Sequence, residues 1–263
     1  MFFRKFNVLC AIFLYSLLTT SLYSQHTAET SIFNPSKQII IVVTDSANTD
    51  QGTLFRFERD ENPIWKLISK PIPVIIGRKG FALGNGLISL DDTGLDKKVE
   101  GDKKSPAGVF SLTKTFGFIS KKELNDLIMS YIQITNMTEC IDDPQSKFYN
   151  QIVRNNEVDA VDWNSSEKMW KSDPWYRFGV FVDNNCSPVT EGNGSCIFLH
   201  NWDGPDDSTV GCTAMAPEHM KEIVLWLDSE KYPLLIQLPV KLYDKYKDGW
   251  ELPDLELFSI NEM

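Results

Sequence analysis

Positive charge is scarce in this chain: 26 lysines and arginines face 36 aspartates and glutamates, a formal net charge of −10 at pH 7. No basic stripe interrupts that balance, which argues against nucleic acid and anionic membrane surfaces as partners. Long apolar runs are missing as well. The longest, near the N-terminus, spans about ten residues, whereas a membrane span needs ~20. There is no internal repeat and no low-complexity block. Histidine occurs three times in 263 residues. Its spacing to cysteine lacks the paired short intervals of a structural zinc site, and no serine sits in a Gly-x-Ser-x-Gly elbow. Few residues remain that can carry reactive chemistry.

The N-terminus reads as a secretory signal peptide over residues 1–24. Arg4 and Lys5 precede an apolar core from about Val8 to Leu18, and small and polar residues follow up to Ser24. The apolar core is short for an anchor, so the expectation is an exported chain with cleavage near Ser24-Gln25 and no stable membrane span afterwards. Arg4 and Lys5 leave with the signal and no acid does, which takes the formal charge to −12. About 240 residues then remain, enough for one large core. Four cysteines remain in them: Cys140, Cys186, Cys196 and Cys212. Export permits disulfides. If Cys212 stays a free thiol, Cys186–Cys196 and Cys140–Cys196 are both open as pairings, as are free buried thiols.

Residues 25–37 are polar and read as a flexible lead-in. Gln38 to Thr44 is β-branched and apolar, a buried strand. Residues 53–59 alternate as a half-exposed strand, and residues 63–69 and 73–77 continue the meander. Residues 77–86 hold four glycines and read as a loop able to approach a ligand. Further strands are expected at 109–113, 178–183, 196–200 and 234–238. Helical spacing appears at 121–128 and, more strongly, at 217–227, where Pro217 opens the helix and Met220, Ile223, Val224 and Leu227 share a face. The expected architecture is mainly β with a few helices. A catalytic-type domain covers 38–240, an inserted middle segment about 120–175, and an irregular C-terminal tail 241–263. In the insertion, Asp142, Asp143, Asp159 and Asp162 read as a solvated acidic loop, with a cation site or an amine contact as the alternative.

The informative stretch is Gly194-Ser-Cys-Ile-Phe-Leu-His200 followed by Val210-Gly-Cys212-Thr-Ala. Period-two geometry puts Cys196, Phe198 and His200 on one face of a strand and Ile197 and Leu199 on the other. The polar, turn-rich loop after His200 can bring the chain back so that Cys212 lies beside the imidazole. A cysteine nucleophile needs such a base, and backbone N–H groups of the Gly211-Cys212 turn can serve an oxyanion. With a helix expected just beyond Cys212, the thiol pKa is expected to fall below its free value of ~8.5. Competing readings are an ordinary buried cysteine with an edge histidine, a metal site from Cys196, His200, Cys212 and Asp203, and a serine site at Ser195 or Ser208. His219, next to the Met220 stripe, is expected to face solvent.

These residues resemble the L,D-transpeptidases of the YkuD type. The likeness is strongest to an envelope subgroup with Ile-Phe-Leu-His-x-Trp and Gly-Cys-x-Ala-Met segments, here Ile197-Phe-Leu-His200-Asn-Trp202 and Gly211-Cys212-Thr-Ala-Met215. Glu100-Gly-Asp-x-x-Ser-Pro-Ala-Gly-Val-Phe110, Glu139-Cys-Ile-Asp-Asp-Pro144 and Tyr176-Arg-x-Gly-Val-x-Val-Asp183 match in the same order. The resemblance implies a β-sandwich fold. It implies an exported enzyme of the periplasm or cell envelope, engaged in cell-wall biogenesis and cell shape, that needs no cofactor and no metal. Cys212 would attack a peptidoglycan stem peptide between a diamino acid and the following D-residue. His200 would be general base and then acid, and Gly211 and Cys212 would supply the oxyanion donors. The acyl group would pass to an amine, such as a D-amino acid or an envelope protein, or to water.

The family pattern has Ser-His before the Gly-Cys pair and an arginine or asparagine two positions after the cysteine. Here Thr209-Val210 and Ala214 stand in those places, and the interval from His200 to Cys212 is shorter than usual. The nucleophile and base carry over, and the substrate-gripping positions do not. Asp183, Asn184, Trp202, Asp203, Ser208 and Thr213 are the expected substrate or supporting contacts, because they should flank the His–Cys pair. Arg177 is a candidate for bidentate recognition of a stem carboxylate, with a surface ion pair as the alternative. Hydrolysis by the same chemistry (an L,D-carboxypeptidase, or release of wall-linked protein) and non-catalytic wall binding are the other functional readings.

Overall fold

The computed structural model describes residues 32–259 except 92, 126, 172 and 173. The expected signal peptide, together with His26, lies outside the described residues. Strands dominate, as expected. They are β1 (Gln38–Thr44), β2 (Gln51–Glu58), β3 (Lys66–Leu67), β4 (Ile72–Ile75), β5 (Phe81–Leu83), β6 (Ser105–Gly117), β7 (Ser130–Gln133), β8 (Thr138–Cys140), β9 (Ile152–Arg154), β10 (Glu167–Lys168), β11 (Phe178–Val182), β12 (Phe198–Asn201), β13 (Thr213–Met215) and β14 (Leu234–Pro239). The order β1-β14-β6-β11-β12-β13-β4-β2 closes on itself, because β1 also pairs with β2. The sandwich is thereby a ring of strands around one core, with few open edges to protect.

The apolar runs explain the ring. Ile39, Ile40, Ile41 and Val42 of β1 are all fully buried, consistent with a strand flanked by neighbours on both sides and covered on both faces. Helix α1 (Pro217–Trp226) forms where the sequence reading put it. Met220, Ile223 and Val224 are buried, and the helix packs against β11 and β12. Leu227 is buried just past its end.

Several expectations fail for identifiable reasons. Residues 121–128 make only a 3₁₀ turn at Lys121–Glu123, capped by the Ser120 hydroxyl. The glycine-rich segment contains strand β5, which pairs parallel to β6. The lead-in is not loose at its end: Phe33 is 2% exposed and packs on Trp250 with ring centroids 5.5 Å apart, and the Arg59 guanidinium donates to the Phe33 and Ser36 carbonyls. The tail is not irregular either. Helix α2 (Val240–Tyr246) follows β14 directly, and Tyr243, Trp250, Leu252 and Leu255 join the main core.

The middle segment divides. β7 adds to the main sheet beside β6, whereas β8, β9 and β10 form a separate three-stranded sheet in the order β10-β8-β9. A disulfide between Cys140 and Cys196 ties that small sheet to the lead-in of β12. Cys186 and Cys212 are free.

Candidate active site

Strands β12 and β13 run parallel, with His200 opposite Ala214. The loop between them therefore carries the chain back past its starting point, and Cys212 arrives level with Phe198. The Phe198 N–H points at Cys212 Sγ, 3.4 Å away, and the thiol donates to the Cys196 carbonyl at 3.6 Å. The expected alternation is present. Ile197 and Leu199 enter the main core, while Cys196 and Phe198 join a second cluster with Phe116, Tyr176, Phe181 and Cys212. The strand itself begins only at Phe198, because Cys196 turns through a left-handed φ of 53°, with its N–H held by Asn150 Oδ1 at 2.9 Å.

The Gly211-Cys212 turn is pinned from two sides. Ser105 Oγ donates to the carbonyls of Gly211 and Cys212, at 2.8 and 3.0 Å. Thr209 Oγ1 donates to the Cys212 carbonyl at 2.6 Å and accepts from the Gly211 N–H at 3.2 Å. The Gly211 φ of 151° lies where an L side chain is strained. The Gly211 N–H, an expected oxyanion donor, is engaged by Thr209 Oγ1 in this structure. Among the described residues no hydrogen bond engages the Cys212 N–H.

His200 is partly buried, and its ring meets the edge of Tyr176 with centroids 5.3 Å apart. Tyr176 in turn lies edge-on to Phe116 and Phe198. The His200 Nδ1 stands 2.7 Å from the Asn201 carbonyl. A carbonyl only accepts, so Nδ1 carries the proton and Nε2 keeps its lone pair. The group orienting the imidazole is thus a backbone oxygen, which no side-chain motif could reveal.

Both reactive groups rest neutral. Burial lowers the His200 pKa to about 4, against the opposing hydrogen bond to Asn201 and the charge of Asp207. Burial, helped by the charge of Glu167, pushes the Cys212 thiol up to about 12, against the Phe198 N–H and Lys98. The expected thiolate is therefore corrected. β13 stands between Cys212 and α1 in the chain, and desolvation disfavours the anion.

Cys212 and His200 open into one cavity of about 490 Å³. Of the expected contacts, Trp202 and Ser208 line it. The others do not. Thr213 points inward and donates to Gln237 Oε1 at 2.5 Å. Asp183 accepts from Thr113 at 3.0 Å, at the end of β11 away from His200. Asn184 is buried, receiving the Asn85 N–H at 3.0 Å. Asp203 and Arg177 are exposed outside the cavity. Proximity along the chain misled here, because alternate residues of a strand face opposite sides.

The lining also contains Lys98, Lys103, Glu167 and Trp175, for which the sequence offered no signal, together with Asp142 of the acidic loop and Tyr176 of the matching segments. The metal alternative loses two ligands, since Cys196 is disulfide-bonded and Asp203 is outside. His219 is only partly exposed, with Nδ1 buried.

The family model described as the L,D-transpeptidase catalytic domain (YkuD) matches residues 38–241. The chain belongs to that family. The match spans the ring of strands from β1 to β14 and includes the cavity. No curated protein and no solved structure matches the chain. The buried thiol and the imidazole share a cavity within the matched residues.

Proposed function

We propose that this L,D-transpeptidase domain is an exported cysteine acyltransferase acting on peptidoglycan stem peptides, with Cys212 as nucleophile and His200 as base and then acid. The observation that carries this reading is the contact between His200 Nδ1 and the Asn201 carbonyl. With Nδ1 held by the Asn201 carbonyl, the lone pair on Nε2 is free for the cavity that holds the thiol. The thiol and imidazole start neutral. The proton passes from Sγ to Nε2 as sulfur attacks the carbonyl carbon, with no preformed ion pair. Charge that develops on the carbonyl oxygen meets the Cys212 N–H. As the amide C–N bond breaks, the imidazolium returns its proton to the departing amine and leaves a thioester. An amine then takes the acyl group and the thiol is restored.

Export follows from the N-terminal composition. The Cys140–Cys196 bond supports an oxidising compartment, the periplasm or cell envelope, because cytosolic disulfides are rare. Residues 1–24 are the signal. The catalytic domain covers 38–240, with about 120–175 as its insertion.

The deciding experiment incubates tetrapeptide muropeptides with the mature protein and with its Cys212→Ala variant, followed by mass spectrometry. Dimers or D-amino-acid exchange that depend on Cys212 support transpeptidation. Tripeptides alone would move the assignment to an L,D-carboxypeptidase. No reaction with either protein would leave a wall-binding role. Retained activity in Cys212→Ala, with the melting temperature unchanged, would remove the nucleophile assignment.

A further inference from the structure

The small sheet brings two carboxylates into the cavity that the acyl-transfer machinery does not use. Asp142 follows two residues after Cys140, and Glu167 stands directly opposite Cys140 in the β10–β8 ladder. The same Cys140 is bonded to Cys196, whose carbonyl accepts from the Cys212 thiol. One disulfide and one hydrogen bond therefore link the strand pair that carries both acids to Cys212.

Their partners are incomplete. Other acids near them are fully served. Glu139 accepts from Asn155, Trp163, Ser166 and Lys168, and Asp143 from Gln145 and Asn164. Among the described residues Glu167 receives only the Tyr176 hydroxyl, on Oε1. Asp142 Oδ1 is buried and has no hydrogen-bond partner among the described residues. Of the nearby lysines, Lys98 is paired with Asp102 at 2.7 Å and Lys168 with Glu139, while Lys103 lines the same cavity. The groups that act on Glu167 are the Tyr176 hydroxyl, the Asp142 carboxylate and the Cys212 thiol. None of them is a cation. Two carboxylates in one desolvated cavity are costly unless a cation binds them or one of them takes a proton.

Acyl transfer requires such a cation. Its second substrate is an amine, which is an ammonium ion at neutral pH. We propose that Asp142 and Glu167 are the acceptor subsite of this enzyme, binding the ammonium group and drawing one proton from it beside the Cys212 thioester. This rests on the acyl-transfer reading above. The proton balance closes. The ammonium gives one proton to Glu167, and the freed nitrogen lone pair forms the bond to the thioester carbon. The nitrogen loses a second proton to His200 Nε2. The C–S bond breaks, and the sulfur takes that proton from the imidazolium. The product is a neutral amide, and Glu167 later returns its proton to water. Burial holds Glu167 at about 7, with the charge of Asp142 adding to the rise, so it can exchange a proton at neutral pH. Lys103 lines the same cavity and suits the carboxylate that accompanies the amine in an amino-acid acceptor.

The test compares two acceptors on a preformed acyl-enzyme. One is a D-amino acid, which is cationic at its nitrogen, and the other is hydroxylamine, which is largely uncharged at neutral pH. Acyl-enzyme on Cys212 is first detected by intact mass with no acceptor present. Its absence from the wild type overturns the acyl-transfer reading itself and this inference with it. Where it forms, the ratio of transfer to the D-amino acid over transfer to hydroxylamine is measured for the wild type, Glu167→Gln and Asp142→Asn. Both variants keep side-chain shape, and Gln can still accept from Tyr176. The expected result is a fall in that ratio of roughly tenfold or more in each variant, from loss of a charge-assisted contact. An unchanged ratio overturns the subsite, whether both acceptors keep their rates or lose them together, since a merely structural role does not distinguish a charged amine from a neutral one.

Discussion

Cys212 and His200 each carry a protonation state that their neighbours impose. The thiol is buried among Phe116, Tyr176 and Phe198, and the imidazole is wedged against Tyr176. The acid limb of acylation should therefore lie low. His200 must be neutral to accept the thiol proton, and its pKa is about 4. The second-order rate of acyl-enzyme formation should hold steady as pH falls through the ordinary histidine range near 6.5 and drop only around 4. A drop centred near 6.5 would show that the ring is solvated. Alkylation of Cys212 by iodoacetamide at neutral pH should be slower than that of a free thiol by roughly a hundredfold or more, since a raised pKa leaves little thiolate. A fast reaction would point to an ion pair in the resting enzyme. The order and spacing of these two residues suggested one site, and the fold places both on one cavity. Their charge states were not legible in the sequence, because desolvation depends on side chains from β6, β11 and the small sheet that no local window contains.

Among the elements, the two that matter most to the site are the pinned turn before β13 and the disulfide-bound small sheet. Thr209→Val removes the donor to the Cys212 carbonyl and leaves the buried Gly211 N–H unpaired. A loss of about 1–3 kcal/mol is expected in denaturant melts, with a larger fall in acylation than in the binding of stem peptide. Replacing both Cys140 and Cys196 with serine opens a crosslink of sequence separation 56. The chain-entropy argument puts the cost at about 4 kcal/mol, and the D-amino-acid transfer ratio should fall too as Asp142 and Glu167 lose their anchor. A double variant with full stability would mean that the small sheet is held by packing alone. Helix α1 was readable because Pro217 and a 3.6-residue apolar period coincide. The expected helix at 121–128 failed because its apolar residues serve other ends: Leu124 joins the main core from outside any α-helix.

Over the whole molecule, the core extends beyond the stretch that the strand pattern outlines. Phe33 before β1 and Trp250 after α2 close over each other, and Tyr246 stacks on Trp250 at 4.8 Å between centroids. Trp250→Ala should therefore cost about 3–5 kcal/mol, measured by thermal or urea unfolding, although it lies far along the chain from Cys212. A change below about 1 kcal/mol would show that the tail is dispensable. The family, the mainly β architecture, the alternation of Ile197 and Leu199 against Phe198 and His200, and helix α1 were all determined by residue order. Each depends on local periodicity or on a contiguous motif. The tertiary structure alone decided which cysteines pair, that Asn201 offers its carbonyl to His200, that Arg177, Asp183 and Thr213 turn away from the cavity, and that Asp142 and Glu167 turn into it. Those outcomes depend on contacts across the ring of strands and on exclusion of water, and both arise only when distant segments meet.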